Sequence, residues 1–102
     1  MHRLFSSVLG ALLVFTACGQ PAPQVTKPIV LTSFSVLADM THNILGDVAT
    51  VESIVGPDSD AHAYEPRPAD SARLGSAAAV VRIGLGFEPW LDDLLVSAES
   101  TA

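Results

Sequence analysis

Val55–Asp70 reads VGPDSDAHAYEPRPAD, and the rest of the chain is organised around it. Gly56-Pro57 opens the stretch and Pro66-Arg67-Pro68 closes it. Glycine and proline impose unusual or restricted backbone angles, so this composition specifies an ordered loop rather than a strand or helix. Inside it His62 stands among Asp58, Asp60, Tyr64 and Glu65. A neutral imidazole surrounded by carboxylates on such a loop suits a cation. The residues alone fit a plain surface histidine in an acidic loop better. One histidine cannot complete a site, because zinc takes about four ligands and manganese more.

Working outward, Ile29–Phe34 (IVLTSF) is an apolar run suited to a buried parallel strand. A helix is expected next, with Ser35 as N-cap and Gly46 as its stop. Its apolar positions Leu37, Met40, Ile44 and Leu45 fall on one stripe expected to face the core. Met40 then belongs to the core rather than to a metal, and His42, off the stripe, is expected in solvent. Val48–Val55 is rich in β-branched residues and reads as the second strand, which places the histidine loop at its carboxyl end. In open parallel α/β sheets ligands gather in the crevice beyond the carboxyl ends of the strands, a second reason to single out His62.

Pro68 suits the first turn of a short helix reaching Leu74, ended by Gly75. Ala77–Ile83 (AAAVVRI) reads as the third strand, with Arg82 reaching solvent at its end. Gly84-Leu85-Gly86 hints at phosphate binding, but Pro89 occupies the third-glycine place of G-x-G-x-x-G, so a strand-to-helix turn is the better reading. The last helix is expected over Phe87–Ala98, with Phe87, Leu91, Leu94, Leu95 and Ala98 inward. Glu88, Asp92 and Asp93 take the other side, where acids near a helix start complement the dipole. Trp90 reads as packing.

The stretch DAHAYEPRPAD, together with GLGFEPWLDDL at Gly84–Leu94, resembles the periplasmic metal-binding proteins that feed zinc or manganese ABC importers. Their first metal-ligand loop has a form close to D-P-H-x-Y-E-P-x-P-x-D. Asp60, His62, Tyr64, Glu65, Pro66, Pro68 and Asp70 match it, and Ala61 stands where proline is usual. The resemblance runs from Ile29 to Leu95. It implies that His62 is a metal ligand for transported Zn²⁺ or Mn²⁺, and that the further ligands, a second His, a His or Glu, and an Asp, lie beyond residue 102. It also implies α/β architecture: a partial parallel sheet with flanking helices, the first portion of the N-terminal lobe of a two-lobed metal-binding protein. The 102 residues then correspond to the N-terminal part of a longer chain, whose partners are the divalent metal and a membrane ABC permease.

At the start, Arg3 and the apolar Val8–Phe15 read as a signal peptide over residues 1–17, too short to span a bilayer. Phe15-Thr16-Ala17-Cys18 looks like a lipobox, so Cys18 is expected to be lipidated and to anchor the protein to the outer face of a membrane. As the only cysteine it can form no intrachain disulfide. Residues 18–28 read as a tether and 29–102 as the partial lobe. Without residues 1–17 the chain carries eleven acids and four bases, a formal charge of −7, which argues against nucleic acid. Two other functions compete with metal capture. An enzyme using His62 as general base, oriented by Asp60 or Glu65, lacks a nucleophile motif such as G-x-S-x-G. An adhesin-like surface lipoprotein is a label that members of the resembled family have received.

Overall fold

The computed structural model describes residues 18–100 and 102; the signal-peptide reading of residues 1–17 lies outside them. Residues 18–28 are exposed and without regular secondary structure. Order begins with strand β1 (Ile29–Phe34), followed by helix α1 (Ser35–Leu45) and a 3₁₀ turn (Gly46–Val48). Then come β2 (Thr50–Val55), α2 (Pro68–Ser76), β3 (Ala79–Val81) and α3 (Pro89–Ser97). Among the described residues no helix is long and apolar enough to cross a membrane.

The three strands form one parallel sheet in the order β2-β1-β3, with Val30 opposite Val51 on one side and opposite Ala79 on the other. This is the expected α/β class. The chain moves one way across the sheet from β1 to β2 and then returns past β1 to β3. Right-handed crossovers in opposite directions place α1 and α2 on opposite faces. The reversal also makes the gap between the carboxyl ends of β1 and β3 the switch point where ligands collect in such sheets.

The core gathers between the sheet and the α2–α3 side. Leu31, Val55, Leu74 and Leu91 are fully buried, and Ile54, Ala61, Trp90 and Leu94 complete the cluster. The inward stripe expected for α3 holds at Leu91 and Leu94 and fails at Phe87, which lies before the helix and is exposed.

On α1 the expected stripe is half correct. Leu37 and Leu45 are half-buried, but Met40 and Ile44 face outward, 55% and 82% exposed. Thr41 is the buried residue. Thr41 and the half-buried Ala38 are small and share one helical face, which lets the helix lie close to β1 and β2. That close approach rotates Met40 and Ile44 away from the sheet. Met40 is therefore a surface residue and not core. Ser35 is the first helical residue rather than the cap; Phe34 holds the cap position with no side-chain bond. Helix α2 runs through Gly75 to Ser76, and β3 is shorter than the apolar run suggested.

The two kinds of apolar side chain should separate on substitution. Leu31→Ala should cost about 2–5 kcal/mol, the usual range for a leucine removed from a packed core. Met40→Ala should stay within about 0.5 kcal/mol, as for other surface changes. Urea denaturation midpoints of the two variants check this, and an equal loss in both would contradict the orientation of α1.

Candidate metal centre

His62 lies in the loop between β2 and α2, exposed, beyond the carboxyl edge of the sheet. Its ring is not free to turn. Nδ1 lies 2.8 Å from the carbonyl oxygen of Phe87, a residue of the loop after β3. A carbonyl can only accept, so Nδ1 carries the proton, and in the neutral ring Nε2 keeps the lone pair. That is the arrangement of a metal-ligating histidine, whose second nitrogen donates to a backbone carbonyl or carboxylate. The Phe87 ring also packs beside the imidazole, with centroids 6.2 Å apart, and against Phe34 at 5.6 Å.

The loop backbone around the ring is fixed at three points. The Asp60 carboxylate accepts the backbone N–H groups of His62 at 2.8 Å and Ala63 at 3.3 Å. These two bonds hold its pKa below the usual aspartate value. Trp90 donates its indole N–H to the Ala61 carbonyl at 2.8 Å, one residue before the histidine. Two residues after it, Tyr64 packs edge-on against Trp90 and donates its hydroxyl to Asp70 at 2.8 Å. Burial and that hydrogen bond push the tyrosine pKa up.

Asp70 is buried, 1% exposed, and belongs to the first turn of α2. Its Oδ2 also accepts the Arg67 N–H at 2.8 Å and so caps the helix. Oδ1 accepts no hydrogen bond, and the Arg73 guanidinium 3.6 Å away is its charge partner. Arg73 in turn binds Glu52 and the Ser53 carbonyl, both at 2.9 Å, which ties α2 to β2.

Glu88 corrects the expectation that it sits on the solvent side of α3 beside Asp92 and Asp93. It is 1% exposed, whereas the other two are exposed as expected. Its carboxylate accepts Ser33 Oγ–H at 2.5 Å, Ile83 N–H at 2.8 Å and Gly84 N–H at 2.9 Å. Burial alone would raise its pKa, but these hydrogen bonds and the nearby Arg82 outweigh it and hold the group below the usual glutamate range. Arg82 itself reaches outward to pair with Asp92.

Sequence reasoning placed His62 on the loop after β2, where it lies, but missed Glu88, Asp70, Ser33 and the Phe87 carbonyl as its supports. A usable signal was present for one of them: a glutamate directly before a helix-starting proline and just after a Gly-x-Gly turn, where N–H groups converge. Neither Asp60 nor Glu65 orients the imidazole, as the enzyme reading required; Asp60 holds the backbone and Glu65 is exposed. His42 is exposed on α1 as expected. Among the described residues no group of three or more His, Cys, Asp or Glu is gathered closely enough to hold a metal ion. A cleft of about 340 Å³ is lined by Pro66, Trp90, Asp93, Leu94 and Ser97 and does not include His62.

A parallel sheet in β2-β1-β3 order with helices on both faces and one oriented imidazole at its carboxyl edge is the beginning of an open α/β lobe. Residues 30–102 match the family described as zinc-uptake complex component A, periplasmic, and the chain belongs to that family. It is 35% identical over 97 residues to the iron-binding protein YfeA of Yersinia pestis, covering 92% of this chain and 31% of that protein. It is 39% identical over 66 residues to the manganese-binding lipoprotein MntA of Halalkalibacterium halodurans, covering 65% of this chain and 22% of that protein. The Mn-bound periplasmic metal-binding protein of Candidatus Liberibacter asiaticus superposes with a TM-score of 0.63 at 34% identity, over 67% of this chain and 26% of that one. The chain thus spans a third or less of the length of these relatives. Their names describe metal-binding proteins, and the adhesin reading gains no support from them.

The Glu88 pKa makes a prediction about acid. A carboxylate whose folded pKa is depressed contributes stability above its unfolded value, 4.5 here, and loses it as pH falls through the folded value. Between pH 5 and pH 2 the wild type should therefore lose stability more steeply than Glu88→Gln. Urea midpoints measured against pH check this; parallel curves would contradict it.

Proposed function

We propose that this chain contributes the first metal donor, His62 Nε2, of the substrate-binding component of a metal ABC importer. Zn²⁺ or Mn²⁺ is its cargo, taken up outside the membrane and passed to the permease. The observation that carries the reading is the His62 Nδ1–Phe87 carbonyl bond, which holds the ring in the donor tautomer at the switch point of the sheet. Membership of the zinc-uptake family supports the importer role. The names of relatives cover iron and manganese, which supports a metal-ion cargo. Imidazole suits zinc and oxygen donors suit manganese, so the ligands joining His62 select between them.

Cys18, exposed at the head of residues 18–28, is the lipidation site, and those residues tether the lobe to the outer face of the membrane. The name of the MntA relative, a lipoprotein, supports this placement. Labelled fatty acid should enter the wild type expressed in a bacterium and fail to enter Cys18→Ser. Equal labelling of both would contradict the anchor.

A metal titration tests the donor assignment. One imidazole without two further close ligands cannot hold zinc tightly. Isothermal titration of the 102-residue chain with Zn²⁺ should give weak heats that shrink in His62→Ala. Submicromolar one-to-one binding, lost in that variant, would show a self-sufficient site and contradict the shared one.

A further inference from the structure

The turn between β3 and α3 is strained and is held from inside by one carboxylate. Gly84, Leu85 and Gly86 all have positive φ, at 75°, 54° and 79°. Leucine rarely adopts that conformation, and Leu85 gains no burial from it, being fully exposed. Something must hold such a turn, and Glu88 is the residue placed to do so. It stands at the cap position of α3, yet its side chain makes no capping bond to that helix. Instead Oε1 accepts Ser33 Oγ–H and the Ile83 N–H, while Oε2 accepts the Gly84 N–H.

The donors are the carboxyl end of β1, the residue just before the turn and the first residue of the turn. The carboxylate therefore ties the turn to the central strand. Phe87 immediately precedes Glu88, its own N–H bonds the Gly84 carbonyl at 3.0 Å, and its carbonyl receives His62 Nδ1–H. Burying a charge is costly unless it is fully hydrogen-bonded. Ending a strand and starting a helix requires no such charge, because Pro89 already begins the helix.

We propose that Glu88 is a positioning residue for His62. By fixing the Gly84–Phe87 turn against Ser33, it holds the Phe87 carbonyl where it selects the Nδ1–H tautomer and leaves Nε2 for the metal. The metal part of this statement rests on His62 being a donor; the tautomer part does not.

The test reads the tautomer directly. Two-bond ¹⁵N–¹H correlation spectra of the labelled 102-residue chain, with chelator present and at a pH where imidazole is neutral, report which ring nitrogen bears the proton. His42, exposed on α1, is the internal reference for an unconstrained ring. The wild type should show His62 as Nδ1–H and distinct from His42. Glu88→Gln preserves volume but turns an amide NH₂ toward one of the N–H or O–H donors, so His62 should lose that dominance and approach the His42 pattern. The amides of α1 and β2 should stay in place. Ser33→Ala should shift His62 the same way by a smaller amount, and it decides the matter if Glu88→Gln does not fold. A wild-type His62 resembling His42, or an unchanged His62 in a natively folded Glu88→Gln, would overturn the proposal. Adding Zn²⁺ to the wild type separates the two readings. A Glu88-dependent tautomer with no zinc-induced change at the His62 ring would leave the positioning intact and overturn the metal assignment.

Discussion

The hydrogen bond from His62 Nδ1 to the Phe87 carbonyl, 2.8 Å long, joins two loops that follow different strands. It can form only if β2 and β3 flank β1 in parallel, so that both loops emerge at the same edge. The topology sets that condition, and the side chains around the bond refine it. Asp60 holds the backbone at the histidine, Trp90 and Tyr64 fix the residues on either side, and Glu88 fixes the carbonyl that receives the proton. A ligand held in this way loses less conformational freedom when metal arrives, which is how a supporting shell raises affinity without touching the ion.

Two buried carboxylates do different work in that shell. Asp70 caps α2 and anchors Tyr64, with Arg73 as its charge partner and a link onward to β2. Glu88 has three hydrogen-bond donors and, among the described residues, no direct ion pair, and those donors hold its pKa down against its burial. Both groups are 1% exposed, so removing donors from either leaves charge in a poorly solvating place. The structure around His62 is thus supported by polar bonds drawn from all three strands' ends, while the apolar core of Leu31, Val55, Leu74 and Leu91 supplies the platform beneath.

Much of this is legible in the sequence, for physical reasons that can be named. β-branched runs bounded by Gly and Pro place the strands, and Pro68 and Pro89 mark helix starts because their missing N–H groups cost nothing there. His62 is legible because the Gly/Pro punctuation isolates it on a loop. The orientation of α1 is not, since Met40 and Ile44 outrank Thr41 in hydrophobicity while Thr41 fits the closer approach. Glu88 is not, because an acid at a helix start is also what the dipole favours in solvent. Only the approach of Ser33, 55 residues away in the chain, shows that this acid turns inward.

The central proposal is that, among the described residues, the imidazole of His62 is the group that faces the metal. Paramagnetic broadening by substoichiometric Mn²⁺ tests it most directly, because it reports proximity even where binding is weak. The account predicts that the ring protons of His62 broaden first and most, with the amides of Ala61–Tyr64 following and His42 unaffected. Broadening that begins at the exposed acids of α3 or at His42, with the His62 ring left sharp, would contradict it.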